Sequence, residues 1–288
     1  MILKNSIGLL LCIALFLGGF FINGNLSLYF NLSGLLIVVG GTTAAALLSF
    51  RRQQLSIAAR VVSSSYRHRR RTEREIVQTL IDLSIKSRMD GILSLQEDEE
   101  QASTMFLHRA LGCLVDGYRA DQIREILNTE MYFFRLRRDD IERVVKTIAD
   151  YFPTFGIIGS VVGLITMLSG IGDTAVILKA VPIALTSTLY GLIFANFFFL
   201  PFAANLKERT NHELLLQKII TEGIIAIDSE INPVILKTKL DSFLTPSERV
   251  EEYVSYAKIQ QRFNIQTSEP SLEESLLGNL KKSSMQSP

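Results

Sequence analysis

The sequence predicts an all-α, polytopic membrane protein with four transmembrane helices and a helical cytoplasmic domain between the second and third. Residues 5–50 carry no charge, and residues 151–206 carry only Asp173 and Lys179. Of the 288 residues, 48% are hydrophobic and 20% are charged, which is apolar for a soluble domain of this size. A span needs about 20 apolar residues, so each charge-poor segment has room for two helices.

The first segment, residues 1–50, is predicted to form a transmembrane hairpin. Its apolar pattern is broken once, by the polar residues between Asn23 and Asn31. The helices are expected at about 6–23 and 32–50, joined by a short loop. The chain begins as a secretory signal would, but no small-residue cleavage site follows the apolar run, which favours its retention as a span.

A basic stretch follows the first hairpin and sets the predicted topology. Residues 51–75 contain eight arginines and two glutamates. Because basic flanks favour the cytoplasmic side of the inner membrane, both termini and residues 51–150 are predicted to be cytoplasmic. The same arginines suit lipid headgroups, whereas no aromatic interleaving points to nucleic acid.

The cytoplasmic region, residues 51–150, is predicted to be helical throughout. Thr72 has capping-box spacing, so a helix is expected to start there and to stop near Gly91. Further helices are expected up to about Asp116, over about 120–129, and from Tyr132 straight into the third span.

The second hairpin, residues 151–206, is predicted to contain spans at about 152–172 and 180–204. Pro153 and Pro182 are expected at helix starts, where a missing N–H costs little. Pro201 is expected inside a helix, where it would produce a kink. Residues 207–265 are predicted to form cytoplasmic C-terminal helices, and residues 266–288, rich in Ser, Glu and Pro, to form a disordered tail.

Small residues line one face of each span in the second hairpin. On a helical projection Gly156, Gly159 and Gly163 share a stripe with Ser160, and Gly191 shares one with Ser187 and Thr188. One interpretation is close helix packing alone. The other is an ion path in which Ser160, Ser187 and Thr188 replace part of the hydration shell of a cation. Since the hairpin has no carboxylate in mid-span, a partner helix would have to supply one.

The sequence offers no pattern for an enzyme, a cofactor or a metal. Cys12 and Cys113 have no metal-ligand spacing, and the three histidines, His68, His108 and His212, are scattered. We therefore expect no catalytic residues, no metal site and no bound cofactor other than a translocated ion.

Several motifs resemble one known family. They are FPTFGIIGSVVGLI at residues 152–165, STLYGLIFAN at 187–196, LPFA at 200–203, NPVI at 232–235 and LTPSER at 244–249. They are similar to those of flagellar-motor stator A subunits, within the MotA/TolQ/ExbB proton channel family. The resemblance covers about residues 1–250, and the opening hairpin favours the stator branch over the three-span energisers.

The resemblance implies a specific assembly. Five copies of the chain would surround two copies of a peptidoglycan-anchored B subunit, whose aspartate carries H+ or Na+. The cytoplasmic helices would push the switch protein of the flagellar rotor. Such a partner would supply the carboxylate that the second hairpin lacks.

The resemblance also assigns roles to individual residues. Arg88 and Glu97 correspond to the rotor-contact segment, and Pro153 and Pro201 correspond to prolines tied to coupling. Two features depart from the family pattern: Met89 follows Arg88 where a second basic residue is frequent, and Pro182 stands where a small residue is expected. Without the resemblance, the charges around residues 88–100 are typical of a solvated face.

The hydroxyls at positions 160, 187 and 188 slightly favour sodium over protons by analogy with sodium-driven relatives, although hydroxyls also suit protons. Two other functions agree with the pattern: a TolQ/ExbB-like energiser of another envelope machine, and a membrane scaffold that conducts nothing.

Overall fold

The computed structural model describes residues 18–19, 29–65, 71–102, 104–170 and 172–245, and within these ranges it contains helices and no strand. In chain order the helices are α1 (Leu32–Ser49), α2 (Arg52–Ser65), α3 (Glu73–Asp90), α4 (Gln96–Glu100), α5 (Met105–Val115), α6 (Ala120–Ser169), α7 (Thr174–Ile193), α8 (Leu200–Asp228) and α9 (Pro233–Asp241). A 3-10 turn, Ile92–Leu95, precedes α4, and a π-helical segment, Phe194–Phe199, joins α7 to α8.

Three of the described helices are long and apolar enough to cross a membrane. They are α1, α6, and the continuous rod of α7, the π segment and α8 that runs over Thr174–Asp228. The span predicted at 6–23 lies outside the described residues except for Gly18 and Gly19, as does the predicted tail at 266–288. The all-helical membrane class is therefore confirmed, and the fourth span remains a prediction.

Local capping signals place several helix ends where the sequence predicts them. The Thr72 hydroxyl accepts from the N–H of Glu75 at the start of α3, and Gly91 ends that helix with φ +84°, a conformation that glycine adopts without steric cost. Asn31 caps α1 by accepting from the N–H of Gly34. The predicted start and stop of α3 are confirmed.

The predicted break between residues 129 and 132 is wrong, because α6 is a single helix of 50 residues. No glycine or proline interrupts it between Ala120 and Phe152. The uninterrupted helix predicted from Tyr132 onward is confirmed, and Pro153 therefore lies inside α6 and not at a helix start. Its missing N–H removes one internal hydrogen bond. Phe152 is 6% exposed, stacks on Phe194 and packs at a tilt against Phe199, which anchors the helix at this point.

The start of the fourth span also differs from its prediction. Helix α7 begins at Thr174, where the Asp173 side chain accepts from the N–H of Ala175, so Pro182 is an interior residue and does not open the span. The capping carboxylate of Asp173 starts the helix before the proline is reached.

The helix changes form just before Pro201. Over Phe194–Phe199 it is π-helical, and the N–H of Leu200 bonds the carbonyl of Ala195. A π turn shifts the hydrogen-bond register by one residue, which accommodates a proline that cannot donate. Helix α8 then continues unbroken to Asp228, so the helix does not end at 204 as predicted, whereas the helical structure predicted after residue 207 is confirmed as far as Asp228.

The hydrophobic core outside the candidate membrane spans lies between α3, α5, α6 and α8. Its fully buried side chains include Leu80, Leu111, Ile123, Leu127, Ile219 and Ile224. Burial of each stabilises the fold by about 1.5–3 kcal/mol. Gly223 lets α8 approach α3, because a methyl group there would lie 2.7 Å from Leu80 Cδ1. Residues from Asn232 onward belong to a second compact unit, in which Asn232 caps α9.

Candidate ion path in the transmembrane hairpin

Glycines bring the backbones of α6 and α7 into direct contact. Gly156, Gly159, Gly163 and Gly191 are all buried. A methyl group at Gly191 would lie 2.5 Å from the carbonyl oxygen of Phe152, and one at Gly163 would lie 2.6 Å from the amide nitrogen of Ala184. Both obstacles are backbone atoms, which cannot rotate away. The predicted stripe therefore lies within the interface between the two helices.

A cluster of oxygen atoms occupies this interface. The hydroxyl of Ser160 lies 2.5 Å from the carbonyl oxygen of Ala184 and 3.2 Å from that of Gly156, and it contacts the hydroxyl of Thr188. Because Ser160 has one hydroxyl hydrogen, it cannot donate to all three neighbours at once. Two hydroxyl and two carbonyl oxygens thus meet at one point, where a cation could exchange water for protein oxygen.

Ser187 lies beside this cluster but faces a third helix. Its hydroxyl donates to the carbonyl of Ile183 at 2.6 Å, and the residue is fully buried. A methyl group at Gly34 of α1 would lie 2.8 Å from Ser187 Oγ, and one at Gly159 would lie 2.6 Å from it. The structure therefore brings Ser160 and Thr188 together and places Ser187 at the junction of α1, α6 and α7.

Tyr190 and Gly34 are site residues that the sequence reasoning missed. The Tyr190 hydroxyl donates to the carbonyl of Tyr29 at 2.5 Å and accepts from the N–H of Asn31 at 2.7 Å. It thereby fastens the start of α1 to α7, one turn beyond Ser187. A polar residue within a predicted span is itself a functional signal, so Tyr190 could have been singled out from the sequence.

Charge is confined to the tip of the hairpin. Among the described residues 151–170 and 172–206, the charged side chains are Asp173 and Lys179, which are both exposed. The Asp173 carboxylate caps α7. No described carboxylate of this hairpin therefore reaches the oxygen cluster.

The two predicted coupling prolines flank an aromatic cluster at the other end of the hairpin. The ring centroid of Phe152 lies 5.2 Å from that of Phe194 and 4.8 Å from that of Phe199. Pro153 follows the first of these rings in α6, and Pro201 follows the π segment that carries the other two. Aromatic packing thus joins the two helices where each contains a proline.

Arg88 and Glu97 lie outside the candidate membrane spans, at opposite ends of the turn between α3 and α4. Both are exposed, and within the described ranges neither forms a salt bridge. The neighbouring acids differ: Asp98 accepts from Lys86 Nζ at 2.6 Å, and the backbone carbonyl of Glu99 lies 2.9 Å from His108 Nδ1. Asp98 and Glu99 therefore have partners within the chain.

The hydrogen bond that the Lys86 ammonium group donates to Asp98 raises the pKa of Lys86 above its ordinary value, although partial burial opposes the shift. Burial raises the pKa of the Cys113 thiol, which disfavours its reactive thiolate form. In the described part of the chain, no three His, Cys, Asp or Glu side chains meet as metal ligands.

The chain is similar in sequence to membrane proteins of a known family. A family model described as the MotA/TolQ/ExbB proton channel family matches residues 98–218. Motility protein A of Borreliella burgdorferi is 35% identical over 174 residues, covering 60% of this chain and 67% of that protein. Motility protein A of Treponema phagedenis is 31% identical over 249 residues, covering 86% and 96%.

Among solved structures, the chain is similar to the C. jejuni MotAB structure, with a TM-score of 0.79 and 25% identity. That match covers 88% of this chain and 100% of the other. The similarity therefore extends over both the candidate membrane spans and the helices between them.

Proposed function

The chain belongs to the MotA/TolQ/ExbB proton channel family, and from this membership we propose that it is the ion-conducting A subunit of a flagellar motor stator. In this role it couples the flow of H+ or Na+ to torque on the rotor. The similarity to motility proteins and to MotAB supports the stator branch of the family.

The observation that carries the proposal is the oxygen cluster between α6 and α7. Ser160 and Thr188 place two hydroxyls beside the carbonyl oxygens of Ala184 and Gly156. Hydroxyls and carbonyls can replace water around a cation, but without a negative charge they bind it weakly. A cation that binds weakly at this cluster can dissociate again, as conduction requires.

The negative charge comes from a B-subunit partner. The described hairpin residues have no carboxylate near the oxygen cluster, and the C. jejuni structure that this chain resembles is one of MotAB. We expect the aspartate of a single-span B subunit, anchored to peptidoglycan, to lie next to Ser160 and Thr188. The ion passes between that aspartate and the cluster.

Large apolar side chains on the outer faces of the hairpin suit further copies and lipid. They include Ile157, Val161, Ile165, Leu168, Leu178 and Leu185, each at least 48% exposed. Such surface is stable only against other apolar groups. We propose that five copies and inner-membrane lipid cover it, with both termini in the cytoplasm and the exposed Arg51 and Arg52 at the lipid headgroups.

Torque is transmitted through the turn that carries Arg88 and Glu97. Because both are exposed and have no ion-pair partner among the described residues, their charges are available to the rotor switch protein. Pro153 and Pro201, next to the aromatic cluster, are where we expect ion movement to be converted into helix movement. The unbroken helices α6 and α8 carry that movement into the cytoplasm.

The test is complementation of a stator-deficient strain with this chain and its B subunit. Restored swimming that a protonophore abolishes, whatever the sodium concentration, identifies protons as the driving ion. Swimming speed that rises with sodium and persists with the protonophore identifies sodium, which the hydroxyl pattern slightly favours. Absence of any swimming, with both subunits in the membrane, contradicts the proposal.

A further inference from the structure

A cavity of about 390 Å3 lies between α3, α5, α6 and α8, away from the ion path and the rotor-contact turn. Its floor is apolar and includes Ile76, Phe106, Phe134, Leu216 and Ile220. This volume lies within the range of small-molecule sites, about 300–1,000 Å3. We propose that it binds a small organic anion with an aromatic or otherwise apolar body.

The charge around the cavity is positive once internal pairs are taken into account. Glu130 lies 3.3 Å from Arg109, and Glu213 lies 3.2 Å from Arg138, so both acids in the wall are neutralised. His212 contacts Glu73 at 3.0 Å. The remaining charges in the wall belong to Arg71 and Arg209.

These two guanidinium groups have no ionic partner among the residues that the structure describes. Arg209 donates through Nε to the amide oxygen of Asn205 at 2.9 Å, which leaves its terminal nitrogens free of a counter-ion there, and Arg71 lies exposed at the rim. A guanidinium binds a carboxylate or a phosphate through two parallel hydrogen bonds. The wall therefore selects an anionic group.

A buried polar atom in the wall of the cavity indicates a second requirement. The side-chain oxygen of Gln217 is buried and accepts no hydrogen bond from any described residue. A buried amide oxygen without a donor is costly and uncommon in folded proteins. Rotation of this partly exposed side chain toward the cavity would let a ligand N–H or O–H reach the oxygen, so the ligand we propose combines an anion, an apolar body and a hydrogen-bond donor. Inorganic anions lack the apolar body.

Indole-3-acetate has these three features and is the probe for the test. It would be titrated into the full-length chain, purified with its B subunit in nanodiscs of zwitterionic lipid, and followed by calorimetry and ligand-observed NMR. Indole lacks the anion, and tryptamine replaces it with a cation on the same ring. We expect saturable binding of indole-3-acetate and at least about tenfold weaker binding of the other two, as the loss of one charged contact implies.

Two variants locate the binding. Gln217→Leu keeps the volume but removes the buried acceptor, and Arg209→Gln removes a guanidinium that is not part of the apolar core. Each substitution is expected to lower the affinity for indole-3-acetate by about tenfold. Arg124→Gln, an exposed arginine outside the cavity, serves as the control and should not change the affinity. If Gln217→Leu does not fold, Arg209→Gln alone decides.

Three results would overturn the assignment: no saturable binding of indole-3-acetate up to about 10 mM, equal binding of tryptamine, or unchanged affinity in Arg209→Gln. None depends on ion flow or swimming. The proposed ligand site and the proposed stator function can therefore be refuted independently of each other.

Discussion

The hydroxyl oxygens of Ser160 and Thr188 meet across the α6–α7 interface, although the two residues lie 28 positions apart in the sequence. Gly156 and Gly191 make this contact possible, because a side chain at either would meet the backbone of the opposite helix. The same glycines therefore serve both packing and the placement of the hydroxyls. Close helix packing and an ion path are therefore compatible interpretations of the small-residue stripes.

Replacing either hydroxyl should weaken ion flow without disturbing insertion. We expect Ser160→Ala and Thr188→Ala to slow swimming most at limiting sodium or low proton-motive force, because the site loses an oxygen that replaces water. The control is Thr166→Ala: Thr166 is exposed on α6 and bonds the carbonyl of Val162 in its own helix, so its loss should not change speed. Full speed in both test variants under both limiting conditions would exclude these hydroxyls from the path.

Enlarging Gly191 should destabilise the hairpin. In Gly191→Ala the new methyl group meets the carbonyl oxygen of Phe152, and overpacking of this kind costs about 1–3 kcal/mol. Gly40→Ala in α1 is the matched control, because nothing lies within 4 Å of its methyl group. Thermal unfolding of the purified complex measures both. Equal melting temperatures of the Gly191→Ala and Gly40→Ala variants would mean that α6 and α7 lie further apart than described.

Removing the Tyr190 hydroxyl should release the start of α1. Tyr190→Phe leaves the carbonyl of Tyr29 and the N–H of Asn31 without their partner, at a cost of about 1–3 kcal/mol. Tyr132→Phe removes the same atom from a residue that is 59% exposed and should be neutral. Hydrogen exchange at residues 31–35 should rise in the first variant only. Unchanged protection there would contradict the role of Tyr190.

Charge reversal at the turn should impair torque and leave the fold intact. Arg88→Glu and Glu97→Lys alter exposed side chains without ion pairs among the described residues, so stability should change by less than about 0.5 kcal/mol. Swimming should fall, and a compensating reversal on the rotor should partly restore it. Arg124→Glu is the exposed control. Normal swimming in Arg88→Glu would make the acidic residues after Leu95 the better candidates.

Asp98 should behave differently from Glu97, because it is paired within the chain. Asp98→Asn removes the partner of Lys86 and should cost up to about 1 kcal/mol, since both side chains are partly exposed. A lysine with a raised pKa stabilises the fold below its ordinary pKa, about 10.4, and this contribution is lost as pH rises through the folded value. The cost of Asp98→Asn should therefore be constant near neutrality and disappear only in strong alkali. If the loss of stability in Asp98→Asn changed within about one pH unit of neutrality, the Lys86–Asp98 ion pair would not be its cause.

Short-range signals predicted the helical class and several helix ends from the sequence. Thr72 and Gly91 bound α3 as predicted, since a cap and a positive-φ glycine act within one turn. The hydroxyl and glycine faces of the second hairpin were also readable, because helical periodicity places them without knowledge of the partner.

The errors concern prolines and long-range contacts. Pro153 and Pro182 were expected at helix starts, but α6 and α7 continue through both, because caps at Arg119 and Asp173 begin these helices earlier. Gly34 and Tyr190 join the site through contacts between α1 and α7, and no local pattern encodes which helices become neighbours. The ion-pair partners of Asp98, Arg109 and Glu213 could not be predicted for the same reason.

The ion path through this hairpin can be measured as cation flux into proteoliposomes that contain this chain and a B subunit without its plug. We expect flux with the native chain, the same flux with Thr166→Ala, and a large reduction with the double variant Ser160→Ala and Thr188→Ala at equal protein content. Flux in the double variant equal to that of the native chain would contradict an ion path through this hairpin.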